Sequence, residues 1–156
     1  MDNEIEFLPY RAELKEHFVQ LNLSWLEEYF VIEPYDQKVL EDCENEIIDN
    51  GGYIFFALQN KTVVGTFAFI KMGEGVYELS KMAVPKALRG QGIGNLMIRF
   101  SIRYAEQHHW KKLVLYSNTV LQNSIHLYRK YGYQEIPLEV DKPYERSDIK
   151  MELILS

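Results

Sequence analysis

The chain has 156 residues, 47% of them apolar, enough for one domain spanning 1–156 with a real core and too few for two comfortable ones. Its 17 basic and 23 acidic side chains leave a net charge of −6, which argues against a protein that lives on a nucleic-acid backbone. The start, MDNEIEFLPYRAELKEHF, has no basic-then-apolar leader, and no uncharged apolar run is long enough to span a bilayer, so the expectation is a cytoplasmic protein off the membrane. Cys43 is the one cysteine, which leaves no intrachain disulfide and no thiol-based metal site. It stands among acids in LEDCENEII, where its thiol pKa would rise, and reads as a bystander.

In chain order, IEFLPY is a short strand stopped by Pro9. Two helices follow. In RAELKEHFVQLNLSWLEEYF, Leu14, Phe18, Leu21 and Trp25 recur at helical spacing, and PYDQKVLEDCENEIIDNGG puts Val39, Leu40, Cys43 and Ile47 on one face. Pro34 suits the second helix's first turn, and Asn50-Gly51-Gly52 can supply the left-handed residue that ends it. From Tyr53 the period changes: YIFFAL, TVVGTFAFIK and VYELSKMAV are rich in β-branched and aromatic residues and are separated by turn-compatible QNK and MGEG. That predicts an antiparallel meander. A helix from about Gly92 to Gln107, the strand KLVLYS, a helix from about Leu121 to Tyr131, and the strands YQEIPL and SDIKMELIL complete the chain. A strand–helix–strand unit is normally right-handed and parallel, so VYELSKMAV and KLVLYS should be parallel neighbours in an otherwise antiparallel sheet. Ligands in such sheets bind where the carboxyl ends of parallel strands meet the next helix's amino end.

Gly90, Gly92 and Gly94 fall at that place, in MAVPKALRGQGIGNLMIRF. A tight turn needs one or two glycines, not three in five positions. A Walker loop would need Lys-Ser or Lys-Thr after the last glycine, where Asn95 and Leu96 stand; a dinucleotide fingerprint would need its third glycine at Asn95. What remains is an anion cradle, in which bare glycines admit a phosphate to the free amides and positive dipole of the first helical turn. Arg89 lies at its entrance, and a pyrophosphate would fit.

Arg89-x-x-Gly92-x-Gly94, between KMAV and an amphipathic helix, resembles the pyrophosphate-binding motif of the GCN5-related N-acetyltransferases, the GNAT family, which binds acetyl-coenzyme A. LYRKYGYQEI, Leu127 to Ile136, resembles the family's second signature, and element order matches from Ile5 to Leu155. The resemblance implies an α/β (α+β) fold: a mixed, mostly antiparallel sheet with two splayed parallel central strands and helices on both faces. It implies that main-chain groups of Met82, Ala83 and Val84 hold the pantetheine arm of acetyl-coenzyme A in the gap between those strands. Amides of Arg89, Gly90, Gln91, Gly92, Ile93, Gly94 and Asn95 would hold the pyrophosphate. The family commonly has an asparagine seven residues before the tyrosine of its second signature, and this chain has Leu121 there. Asn118 and Asn123 are the nearby substitutes, Asn118 being equally a helix cap or turn residue.

Amide formation from a thioester needs an uncharged amine, a polarised carbonyl and a proton for the departing thiolate. Tyr128 matches the family's tyrosine near the sulfur, a proton donor; its helical spacing with Leu121, Ile125 and Tyr131 also fits plain core packing. Glu78, six residues before Val84, stands where several family members carry a glutamate that takes the amine's proton. Strict alternation would put Glu78, Ser80, Met82 and Val84 on one face and Tyr77, Leu79 and Lys81 on the other; a solvated face or an ion pair with Lys81 is the competing account of Glu78.

The histidines make no metal site: His108 and His109 end a helix, and His17 and His126 are isolated. Trp25, Tyr29, Phe30 and Tyr35 could line an acceptor pocket or belong to the core. KPYERSDIKMEL resembles the closing segment of a subgroup of these enzymes, which would put Tyr144 and Arg146 near the acceptor. The expected function is transfer of an acetyl group to a primary amine of a small molecule, peptide or protein. A non-catalytic acyl-coenzyme A-binding module is the alternative. The apolar end IKMELILS permits a homodimer, which is common in the family through late strands.

Overall fold

The computed structural model describes residues 4–155. The first three residues of the start expected to lack a leader, and the last residue of IKMELILS, lie outside them. Strand β1 (Glu6–Pro9) runs through a short 3-10 turn into α1 (Lys15–Tyr29). Helix α2 (Pro34–Glu41) opens on a capping box: the Glu33 side chain receives the amide of Asp36, and the Asp36 carboxylate receives the amide of Glu33 at 2.9 Å. It is shorter than its apolar pattern predicts, because the α-helix stops at Asp42 and the chain continues as a π-helical turn, Glu44–Ile48. Val39, Leu40, Cys43 and Ile47 are nonetheless all buried, and Gly51, at φ +91, supplies the expected left-handed ending.

Strands β2 (Tyr53–Gln59), β3 (Thr62–Gly73) and β4 (Val76–Ala83) form the meander, and α3 (Ile93–Gln107) leads to β5 (Lys112–Ser117). Helix α4 (Gln122–Lys130), β6 (Gln134–Ile136) and β7 (Ile149–Ile154) follow. The sheet order is β1-β2-β3-β4-β5-β7-β6, antiparallel everywhere except between β4 and β5.

Both faces of the sheet are covered, which explains why its middle strands are continuously apolar rather than alternating. Ile54, Phe56 and Leu58 pack with Phe18 and Leu26 of α1 and Leu40 of α2, while Phe55 and Ala57 pack on the opposite face with Met97 and Ala105 of α3. Phe56, Phe67 and Phe69 are completely buried, each contributing about 1.5–3 kcal/mol by its removal from water. No helix among the described residues is long and apolar enough to cross a membrane.

Candidate functional site

One extra residue in β4 shapes the site. Lys81 is left-handed at φ +55, and the register moves from Ala68 opposite Ser80 to Thr66 opposite Ala83, three steps on β4 against two on β3. This β-bulge corrects the faces expected from strict alternation, since an inserted residue reverses every side chain beyond it. Met82 and Val84 pack with Tyr77 and Leu79 on the α3 side instead of joining Glu78. Lys81 points the other way, its ammonium 3.2 Å from Asp36 of α2.

The parallel strands also separate here. Pairing between β4 and β5 ends at Glu78 opposite Val114. Beyond it, Leu79–Met82 and Leu115–Asn118 form two walls of a cavity of about 150 Å3, closed by Trp25 and Phe30 from the end of α1, Tyr128 from α4, and Tyr144 and Arg146. Main-chain amides and carbonyls of β4 beyond Glu78 have no strand beside them on this edge, so an extended ligand can pair there as a strand would.

A groove continues from the cavity past Met82, Ala83 and Val84 to the glycine loop, with Trp25, Leu121 and Ser124 bordering both. Gly90 and Gly92 are left-handed, at φ +81 and +85, so a side chain there would be strained. A Cβ built on Gly90, Gly92 or Gly94 meets no atom within 4 Å: the loop is bare toward the groove as well as sharply turned. Ile93, Gly94 and Asn95 form the first turn of α3, where helix geometry leaves amides without intrahelical carbonyls and the dipole is positive. These features fit a pyrophosphate and, with the open edge of β4, the pantetheine arm of coenzyme A.

The surroundings of the loop were less legible. Arg89 is held at the groove rim, with Nη1 donating to Glu28 at 2.7 Å and to the Tyr29 hydroxyl at 3.3 Å, and Nε to the Val84 carbonyl at 3.3 Å. Gln91 is exposed beside it. The Asn95 side chain accepts the Tyr131 hydroxyl at 2.6 Å, tying α3 to the end of α4. Of the two asparagine candidates, Asn118 is a turn residue that also lines the cavity: Nδ2 donates to the Arg146 carbonyl at 2.6 Å and Oδ1 accepts the Val120 amide at 2.9 Å. Asn123 is exposed on the first turn of α4 and borders the groove.

Tyr128 lines the cavity, its ring edge-on to Tyr133 at 5.6 Å, and burial pushes its phenol up to about 12. It therefore stays protonated across the neutral range. Glu78 is only 5% exposed, which overturns the solvated-face account. Burial raises its carboxyl, opposed by the Lys81 charge and by the Tyr144 hydroxyl, which donates to Oε2 at 3.1 Å. That hydroxyl is also 3.2 Å from Ser80 Oγ. Ser80 and Tyr144 line the cavity and Glu78 does not, so Glu78 communicates with it through these two hydroxyls.

Glu33 and Asp36, which the sequence reading did not single out, complete a cluster with Lys81, named there only as an ion-pair partner for Glu78. The completely buried Asp36 carboxylate accepts Arg146 Nη1 and Nη2 at 2.7 and 2.8 Å and Lys81 Nζ at 3.2 Å. Burial alone would raise Asp36; these cations and the Glu33 amide outweigh it and hold the carboxyl below its ordinary value. Burial lowers Lys81, against the pull of Asp36 and Glu78. Glu33 accepts Arg146 Nη1 at 3.2 Å and the main-chain amides of Glu145 and Arg146, fixing the loop before β7 to α2. Tyr35 packs on Tyr144 at 5.6 Å, and Tyr29 stands outside the cavity, against Arg89. The available signals were the Glu33-Pro34-x-Asp36 capping pattern and a lysine within an apolar strand.

The model of the acetyltransferase (GNAT) family matches residues 17–133. No curated protein matches at a significant level. Among solved structures, an acetyltransferase of the GNAT family from Staphylococcus aureus is 23% identical, with a TM-score of 0.84 over 98% of this chain and 100% of that one. An acetyltransferase from Streptococcus agalactiae is 21% identical, with a TM-score of 0.81 over 97% and 98%. A spermidine N-acetyltransferase from Vibrio cholerae, in complex with coenzyme A and spermine, is 18% identical, with a TM-score of 0.76 over 99% and 97%. These likenesses concern the fold.

Proposed function

The chain belongs to the acetyltransferase (GNAT) family, and we propose that this acetyl-coenzyme A-dependent N-acyltransferase brings cofactor and amine together in the cavity between the separated ends of β4 and β5. The observation that carries the reading is the continuity of three parts: a bare anion cradle, an unpaired strand edge, and a cavity lined by a proton donor and linked through two hydroxyls to a buried carboxylate. Bound acetyl-coenzyme A supplies the thioester whose acyl group the amine takes.

Residues 89–95 bind the pyrophosphate through main-chain amides, with Asn123 at the rim in place of the usual asparagine. Met82, Ala83 and Val84 orient the pantetheine arm through their backbone. Glu78 takes the amine's proton by way of the Tyr144 and Ser80 hydroxyls, and the Lys81 charge favours its ionised form. Tyr128, a neutral phenol that lines the cavity, gives a proton to the thiolate. Trp25, Tyr144 and Arg146 face the acceptor, and Tyr29 steadies Arg89.

Thiol release from acetyl-coenzyme A across a panel of primary amines, with calorimetry of coenzyme A binding in parallel, tests this. Amine-dependent release supports it. Binding of coenzyme A with no release for any amine would leave a cofactor-binding module instead.

A further inference from the structure

We propose that the acceptor amine carries a carboxylate a few bonds from its nitrogen, seated on Arg146 and Lys81, so that short amino acids rather than polyamines are the substrate class. The inference rests on the cavity being the acceptor site. The charged side chains that line it are Lys81 and Arg146, accompanied by Tyr116, Tyr128 and Tyr144; no aspartate or glutamate is among the lining residues. A polyamine's second ammonium would meet the N–H donors of Lys81 and Arg146 there and find no carboxylate in the lining to accept its own.

Arg146 is arranged to accept such a group. Asp36 takes Nη1 and Nη2 end-on, and Glu33 takes the other Nη1 hydrogen. A guanidinium has five N–H donors, so the edge formed by Nε and the second Nη2 hydrogen remains, a two-donor fork of the shape that matches a carboxylate. Asp36 is completely buried, whereas the Arg146 side chain is 17% exposed and lines the cavity. Lys81 has three donors, one of them given to Asp36. Lys81 Nζ and Arg146 Nη2 both donate to the same Asp36 oxygen, Oδ1, at 3.2 and 2.8 Å, which brings the two cations within reach of one small anion. Asp36 and Glu33 already balance the two cations, so a bound carboxylate is drawn by unused directional donors rather than by net charge. A cavity of about 150 Å3 suits a short substrate.

The test uses the full chain and matched acceptors of one length: β-alanine, its carboxamide, 1,3-diaminopropane and 3-aminopropylphosphonate, compared at equal free-amine concentration. Each is read by thiol release and by calorimetric binding to the coenzyme A-loaded protein. Two charge-assisted bonds should favour β-alanine over the carboxamide and the diamine by about a hundredfold in kcat/KM. Arg146→Lys keeps the charge but loses the fork, and should shrink the carboxylate-to-carboxamide ratio about tenfold, a ratio that a general loss of active protein would not move. Equal use of acid and carboxamide, preference for the diamine or the phosphonate, or equal or absent binding of all four overturns the proposal. Selective binding of β-alanine with no turnover of any amine would uphold the carboxylate seat and sink the catalytic reading instead.

Discussion

From Arg89 to Asn95 seven consecutive residues make the loop proposed to hold the cofactor, whereas the proposed acceptor end gathers side chains from α2, β4 and the loop before β7, with Arg146 lying 110 positions after Asp36. In the proposed reading the first region binds with main chain, and its glycines keep that main chain accessible. The second is built from side chains that neutralise one another in a place shielded from water. Removing one member there leaves another charge buried and unpaired, so stability and function are coupled at that end and largely separate at the other.

The sharpest way to break this contrast is at the loop. Gly92→Val puts a β-branched side chain at φ +85 and into the open groove, and should lower coenzyme A affinity by at least about a hundredfold in calorimetry while costing only about 1–2 kcal/mol of stability. Undiminished affinity would remove the loop from the cofactor site.

Where the two regions meet, Tyr128→Phe retains the ring and deletes the hydroxyl. Turnover should fall by about a hundredfold to ten-thousandfold with coenzyme A affinity unchanged. Equal turnover would return Tyr128 to core packing.

Asp36→Ala probes the coupling itself. Stranding Lys81 and Arg146 should cost about 3–5 kcal/mol in denaturant unfolding, more than the loop substitution, while coenzyme A still binds the folded fraction. A cost no larger than that of Gly92→Val would mean that the two ends do not differ in this respect.

The smallest effect concerns pH. Burial lifts the Glu78 carboxyl above its ordinary 4.5, so the folded protein keeps this proton to higher pH than the unfolded chain does. The associated stability is complete below the ordinary value and is lost as pH rises through the folded one. Glu78→Gln escapes that loss, so its Tm relative to the parent should rise with pH from about 4.5 upward. A difference that stays flat with pH would show that Glu78 is not held toward its neutral form.

Much of the frame was legible because it rests on local regularities. The helical spacing of Val39, Leu40, Cys43 and Ile47 marked a buried face even where the α-helix gives way to a π turn. KLVLYS is β5 residue for residue, because β-branched and aliphatic residues between turn signals leave little choice. The bulge was not legible: a left-handed lysine has no signature in its own sequence, and its place depends on the register that β3 imposes. From that single residue follow the faces of Met82 and Val84 and the inward turn of Lys81. Asn118 illustrates the same limit, since its two hydrogen bonds go to Arg146 and Val120, and the first of these partners lies 28 positions away.

By itself, then, the order of residues determined the elements, the glycine loop and the helix amino end behind it, because backbone conformation and unpaired amides are properties of neighbours in the chain. Tertiary structure decided which side chains share the cavity and in what charge state, because burial and pairing depend on what distant segments bring. Glu78 is raised only because the sheet, α2 and the Tyr144 loop exclude water around it, and Asp36 is lowered only because Arg146 and Lys81 arrive from elsewhere.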